Sequence, residues 1–163
     1  MEESSSVRNA SIVMRAMGVF TLVISLLWIF LTDVGFVSDF ETFIGQEWQE
    51  YVLSHPLEAE IYLITKRLIG VLMFPISILI LLITQKSYRR AEPWSWFALL
   101  ITGVILWGSL LGYRLSIGYF LFNTPLRASS SMTPIVGLIL LIIGLALPAK
   151  AIFGRHPHQT RND

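Results

Sequence analysis

The sequence predicts an all-α protein: an integral membrane four-helix bundle with an extracytoplasmic amphipathic helix between spans one and two. Three observations lead there. The 163 residues are 54% apolar and only 14% charged, with a mean hydropathy of +0.65, outside the range of an ordinary soluble domain. Four apolar runs each supply the roughly 20 residues that a bilayer's hydrocarbon core demands. Between the first two lies an acidic, aromatic stretch whose spacing is helical. Four spans with short connections nearly exhaust the chain, so residues 1–163 form a single four-span membrane domain.

Span one is SIVMRAMGVFTLVISLLWIFL, residues 11–31. Acidic residues precede it and no small-residue cleavage site follows, so it is expected to be retained rather than removed as a signal peptide. The other spans cover about 61–84, 94–117 and 134–152. Glu92-Pro93 and Thr133-Pro134 place a proline where the first helical N–H would lack a partner anyway, marking two helix starts. Pro75 and Pro148 are kink positions of a kind common in membranes.

Loop charge orients the spans. Arg8 and Arg15, then Lys86, Arg89 and Arg90, then Lys150, Arg155 and Arg161 fall on one side, which predicts cytoplasmic N- and C-termini in a multi-pass protein of the cell (plasma) membrane. The opposite loop carries seven acids from Asp33 to Glu60 and neither lysine nor arginine. Within it Phe40, Phe43, Ile44, Trp48, Tyr51 and Val52 form one helical face, with Glu41, Gln46, Glu47 and Glu50 opposite. Such a helix either lies on the outer interface or packs on the bundle ends.

Charged residues inside the spans are the candidates for function. Counting about 1.5 Å per residue puts Lys66, Arg114 and Asp33 about 27 Å and Arg67 about 26 Å from the cytoplasmic ends, in one outer layer. Tyr113 is an amphipathic neighbour there. On one reading the cations snorkel and pair with acids. On another, Lys66, Arg67 and Arg114 converge on an anionic headgroup or carboxylate while Asp33 holds their geometry. On a third, a partner subunit supplies the acids. Gly103, Trp107 and Leu110 share a face with Arg114, and GSLLG, residues 108–112, offers a small-residue groove for helix contact.

Other chemistry finds little support. The chain has no cysteine, which removes disulfides, thiolate ligands and thiol catalysis. HExxH, GxSxG, the Walker loop and the dinucleotide fingerprint are absent. His156 and His158 flank a proline in a tail with no acidic third ligand, and His55 precedes Pro56 as a turn or cap residue, so no metal or other cofactor is expected. A net charge of +1, with its cations in separate clusters, argues against nucleic acid.

The segment YRRAEPWSWFALLITGVILW, residues 88–107, resembles the YRRGExWAW segment that opens the third span in small four-span prokaryotic membrane proteins, some of them grouped loosely as DoxX-like. The likeness extends to SHPLEAEIYLITKRLIG, residues 54–70. Ala91 stands where those proteins have glycine, and Pro93 departs from their pattern. The resemblance implies the four-helix architecture and no catalytic residues. Physically, Tyr88, Trp94 and Trp96 are expected at headgroup depth with Arg89 and Arg90 on lipid phosphates, as a cytoplasmic interface anchor.

The expectation for function is a non-catalytic accessory or structural subunit of a membrane complex, in contact with membrane lipids and with other subunits or copies of itself. The alternative is a membrane enzyme or carrier that receives a lipidic or quinone-like substrate at its outer-leaflet side.

Overall fold

A computed structural model describes residues 5–117 and 132–154; Arg155, His156, His158 and Arg161 lie outside the described residues. These residues build α1 (Ser5–Phe30), α2 (Thr32–Ile44), α3 (Trp48–Ser54), α4 (Pro56–Lys86), α5 (Pro93–Gly103), α6 (Ser109–Ile117), α7 (Met132–Ala146) and α8 (Ala149–Phe153). A wide π turn, Val104–Gly108, joins α5 to α6. No strand occurs among the described residues. Four helical stretches are long and apolar enough to cross a membrane: Ser5–Phe30, Pro56–Arg90, Pro93–Ser116 and Met132–Phe153.

The bundle runs up and down. α1 pairs along its length with α4 and also with α7, which meets α5 and the π turn. Small residues set the close approaches. A Cβ on Gly103 would stand 2.5 Å from Leu141 Cδ1, and one on Gly137 would enter the Trp107 ring. By contrast, a Cβ on Gly112 would meet nothing, and one on Gly108 only Val104 of its own helix. Span three therefore packs through Gly103 and Trp107 rather than through the GSLLG groove.

The core holds Met14, Met17, Met73, Ile80, Leu99, Trp107 and Leu141, all essentially buried. Outward stripes remain apolar: Ile64, Leu68, Val71 and Leu72 on α4 and Ile139, Ile142 and Ile143 on α7 are exposed. Serines and threonines inside the helices turn their hydroxyls back on their own backbone, as Thr21 does to the Met17 carbonyl and Thr84 to that of Ile80.

The acidic segment is two helices, not one. Gly45, at φ 73°, ends α2 in the left-handed region, and α3 starts again at Trp48. Phe40, Trp48 and Ala59 form a second small core with Phe36, Val37, Tyr51, Val52 and Leu63 against it. The apolar face of this cap therefore packs on the start of α4.

Candidate functional site

α2 places one acid, Asp39, on the apolar face that also carries Thr32, Phe36 and Phe40. Asp39 is 6% exposed. Arg114 of α6 donates through Nη2 to Asp39 Oδ2 at 2.6 Å, and Lys66 of α4 brings its ammonium 3.8 Å from the same oxygen. The Lys66 ammonium also stands 4.3 Å over the Trp28 ring of α1, a cation–π contact that supplements the longer ion pair. One carboxylate oxygen thus ties α2 to α4 and α6, while Trp28 adds α1.

Arg67, the next residue, leaves the cluster by another route. Its Nε donates to Thr32 Oγ1 at 3.1 Å, and Thr32 in turn donates to the Trp28 carbonyl at 2.9 Å. The two adjacent cations therefore grip the last turn of α1 from two sides. Arg67 itself is exposed, within the apolar row that includes Ile64, Leu68 and Val71.

Of the expected residues, Lys66 and Arg114 come together, Arg67 flanks them, and Tyr113 is 69% exposed. Asp33 is exposed and makes no ion pair with any of them. Asp33 does not continue span one, because α1 stops at Phe30. Leu31 breaks the helix at φ −125° and ψ 49°, so α2 sets off afresh and presents Asp39 instead. The available signal was an acid at helical spacing within an aromatic face, where an unpaired charge is costly.

At the other end of the bundle, the YRRAEPWSW segment serves as a clasp. Tyr88 is wholly buried within the bundle, and its hydroxyl donates to the Gly144 carbonyl at 2.5 Å. Trp96 Nε1 donates to the Leu145 carbonyl at 2.9 Å. Both acceptors lie in the last turn of α7, where helical carbonyls lack partners, and Pro148 has no N–H for Gly144. Trp94 is exposed and bonds Glu92 Oε2 at 2.7 Å; Arg89 and Arg90 are also exposed. Ala91 turns the chain between them at φ 57°, the backbone region that favours glycine.

On the cap, the Tyr51 hydroxyl donates to Glu58 Oε2 at 2.7 Å, and His55 stacks on the Tyr51 ring at 4.9 Å. The hydrogen bond to the Glu58 carboxylate, with burial and that carboxylate's charge behind it, raises the phenol's pKa above its ordinary 10.0. An open hollow bounded by Glu41, Gly45, Gln46 and Glu47 lies at the α2–α3 turn. Glu41 Oε1 accepts the Trp48 backbone N–H at 3.3 Å there. Among the described residues, no three His, Cys, Asp or Glu side chains gather as metal ligands. No protein-family model, curated protein or solved structure matches the chain.

Proposed function

We propose that this multi-pass membrane protein is a non-catalytic accessory or structural subunit of a membrane complex. Its termini are cytoplasmic and its α2–α3 cap faces outward, as the basic connection at Lys86–Arg90 and the acidic stretch from Asp33 to Glu60 favour. The observation that carries this reading is the shared Asp39. The acid in the charge layer bridges two cations on other helices, which is the work of a strut, and such a paired charge is poorly placed to serve as a general base. The long apolar stripes outside the bundle give lipid, another subunit or another copy a surface to cover. The likeness of residues 54–70 and 88–107 to small DoxX-like proteins agrees with this architecture.

A second reading, a carrier or enzyme for a lipidic or quinone-like substrate, is favoured by one observation: Lys66 and Arg114 share a single acid, so positive charge remains at the cluster.

Native mass spectrometry of protein extracted gently from its own membrane separates the two. A stoichiometric second chain supports the subunit. A lone chain retaining one defined quinone-like or lipidic molecule would replace it with the carrier.

A further inference from the structure

We infer that Arg67 and the adjoining Lys66–Asp39–Arg114 cluster form a binding site for the phosphate of an acidic phospholipid in the leaflet at the Asp39 end of the bundle. This goes beyond the subunit reading and does not depend on it, since a lipid can be held by a subunit or by a carrier alike.

Charge is the first argument. Two cations, Lys66 and Arg114, share one acid, Asp39, while Arg67, the residue beside Lys66, is held by Thr32, and Asp33 pairs with none of the three. Lys66 is only 9% exposed. A surplus of positive charge at the edge of a hydrocarbon core calls for an anion.

Geometry narrows the source. Arg67 commits Nε to Thr32, which fixes the guanidinium beside the last turn of α1 and leaves its two Nη groups as a planar fork, the shape that receives phosphate oxygens in pairs. It does so within a row of exposed apolar residues, Ile64 at 53%, Leu68 at 55% and Val71 at 51%, so whatever meets the fork approaches from the bilayer side. About 27 Å of α4 separates this level from the far end of a hydrocarbon core roughly 30 Å thick, which is where lipid phosphates lie. A zwitterionic headgroup would bring its own ammonium to a cationic cluster. A headgroup with net negative charge would not.

The test is thermal unfolding of the full chain in neutral detergent with added phosphatidylglycerol, phosphatidylcholine or soluble glycerol phosphate, for the natural sequence and for Arg67→Gln. Arg67 is exposed, so this variant keeps the fold, whereas Arg114→Gln would also break the Asp39 tie. Thr32→Val provides a second variant, which frees the fork without removing charge. The expected result is a dose-dependent rise in Tm with phosphatidylglycerol alone, with the half-maximal concentration raised about tenfold in Arg67→Gln and raised less in Thr32→Val. Stabilisation by glycerol phosphate as strong as by phosphatidylglycerol would assign the site to a soluble phosphate and overturn the lipid. An equal response to phosphatidylcholine, or an unchanged response in Arg67→Gln, would overturn the site itself. The co-purifying chain sought by native mass spectrometry is a separate readout, so either conclusion can fail alone.

Discussion

The Tyr88 hydroxyl reaches across the bundle to the Gly144 carbonyl, 56 residues away in sequence, at 2.5 Å. Four residues beyond Gly144 stands Pro148, which lacks the N–H that would otherwise take that carbonyl. The proline break in the fourth span and the tyrosine of the second connection are therefore two halves of one device. Tyr88→Phe keeps the packing and deprives the carbonyl of its partner, so it should cost about 1–3 kcal/mol. Thermal unfolding in detergent against Trp94→Phe, whose bond to Glu92 is exposed, checks this; equal losses would refute it.

Ala91 occupies the left-handed region at φ 57°, and alanine bears a steric cost there that glycine does not. Ala91→Gly is expected to raise stability by up to about 1 kcal/mol, reduced by the greater freedom of glycine in the unfolded chain. A lower Tm for the variant would show that the turn is not strained.

Asp39 and Asp33 should behave in opposite ways. Asp39→Asn strips the counter-charge from Lys66 and Arg114 and is expected to cost about 3 kcal/mol, while Asp33→Asn stays within about 0.5 kcal/mol. Combining Asp39→Asn with Lys66→Met should recover part of the loss, because one buried charge leaves with the other. A double variant no better than the single would break the assignment.

Trp107 is fully buried, and its indole N–H finds no hydrogen-bond partner among the described residues. Its ring lies directly over Gly137 and 5.5 Å from the Phe20 ring. Trp107→Phe removes an unsatisfied donor at the expense of some volume and should be tolerated within about 1 kcal/mol. Gly137→Ala drives a methyl into the indole and should be destabilising by about 1–3 kcal/mol, while Gly112→Ala, which faces open space, should not. Unfolding curves of the three variants give the order directly.

The Tyr51 phenol, raised above 10.0 by its bond to Glu58, favours its neutral form in the fold. Its contribution is complete below the ordinary tyrosine value and disappears as pH climbs through the raised one. Ultraviolet titration should show one tyrosine of the cap ionising late, and Glu58→Gln should bring it back toward the ordinary range. An unchanged titration in that variant would remove Glu58 as the cause.

Four membrane-crossing helices were legible because apolar runs of that length have few other fates, and Pro93 and Pro134 marked two of their starts. Lys66 and Arg114 were legible as a charge layer for a related reason: a cation inside a span is rare enough to stand out. Asp39 was harder to see, since it sits among seven acids from Asp33 to Glu60 and only the break at Leu31 turns it inward. The buried bond of Tyr88 was not legible because tyrosine suits both a headgroup layer and a buried bond. The choice rests on Gly144, in a helix the local sequence cannot see. The spacing of the cap reads as a single amphipathic helix because its apolar positions continue across Gly45, and only the positive φ there divides it.

The tie between Asp39, Lys66 and Arg114 also bears on how the chain is assembled. Synthesis delivers α2 and its acid first, then α4 and its lysine, and Arg114 some 75 positions after the residue it will hold. Once α1 and α4 have paired, Asp39 and Lys66 can neutralise each other at that level, so the first hairpin is ready to leave an insertion channel as a unit. The third span then arrives to find its counter-charge already waiting. An acid moved to α6 and an arginine to α2 would preserve the charge pairing between those two helices in the finished bundle, yet it would set the arginine against Lys66 and the half-made hairpin would carry two unmatched cations into the membrane. The native arrangement spares the growing chain that intermediate.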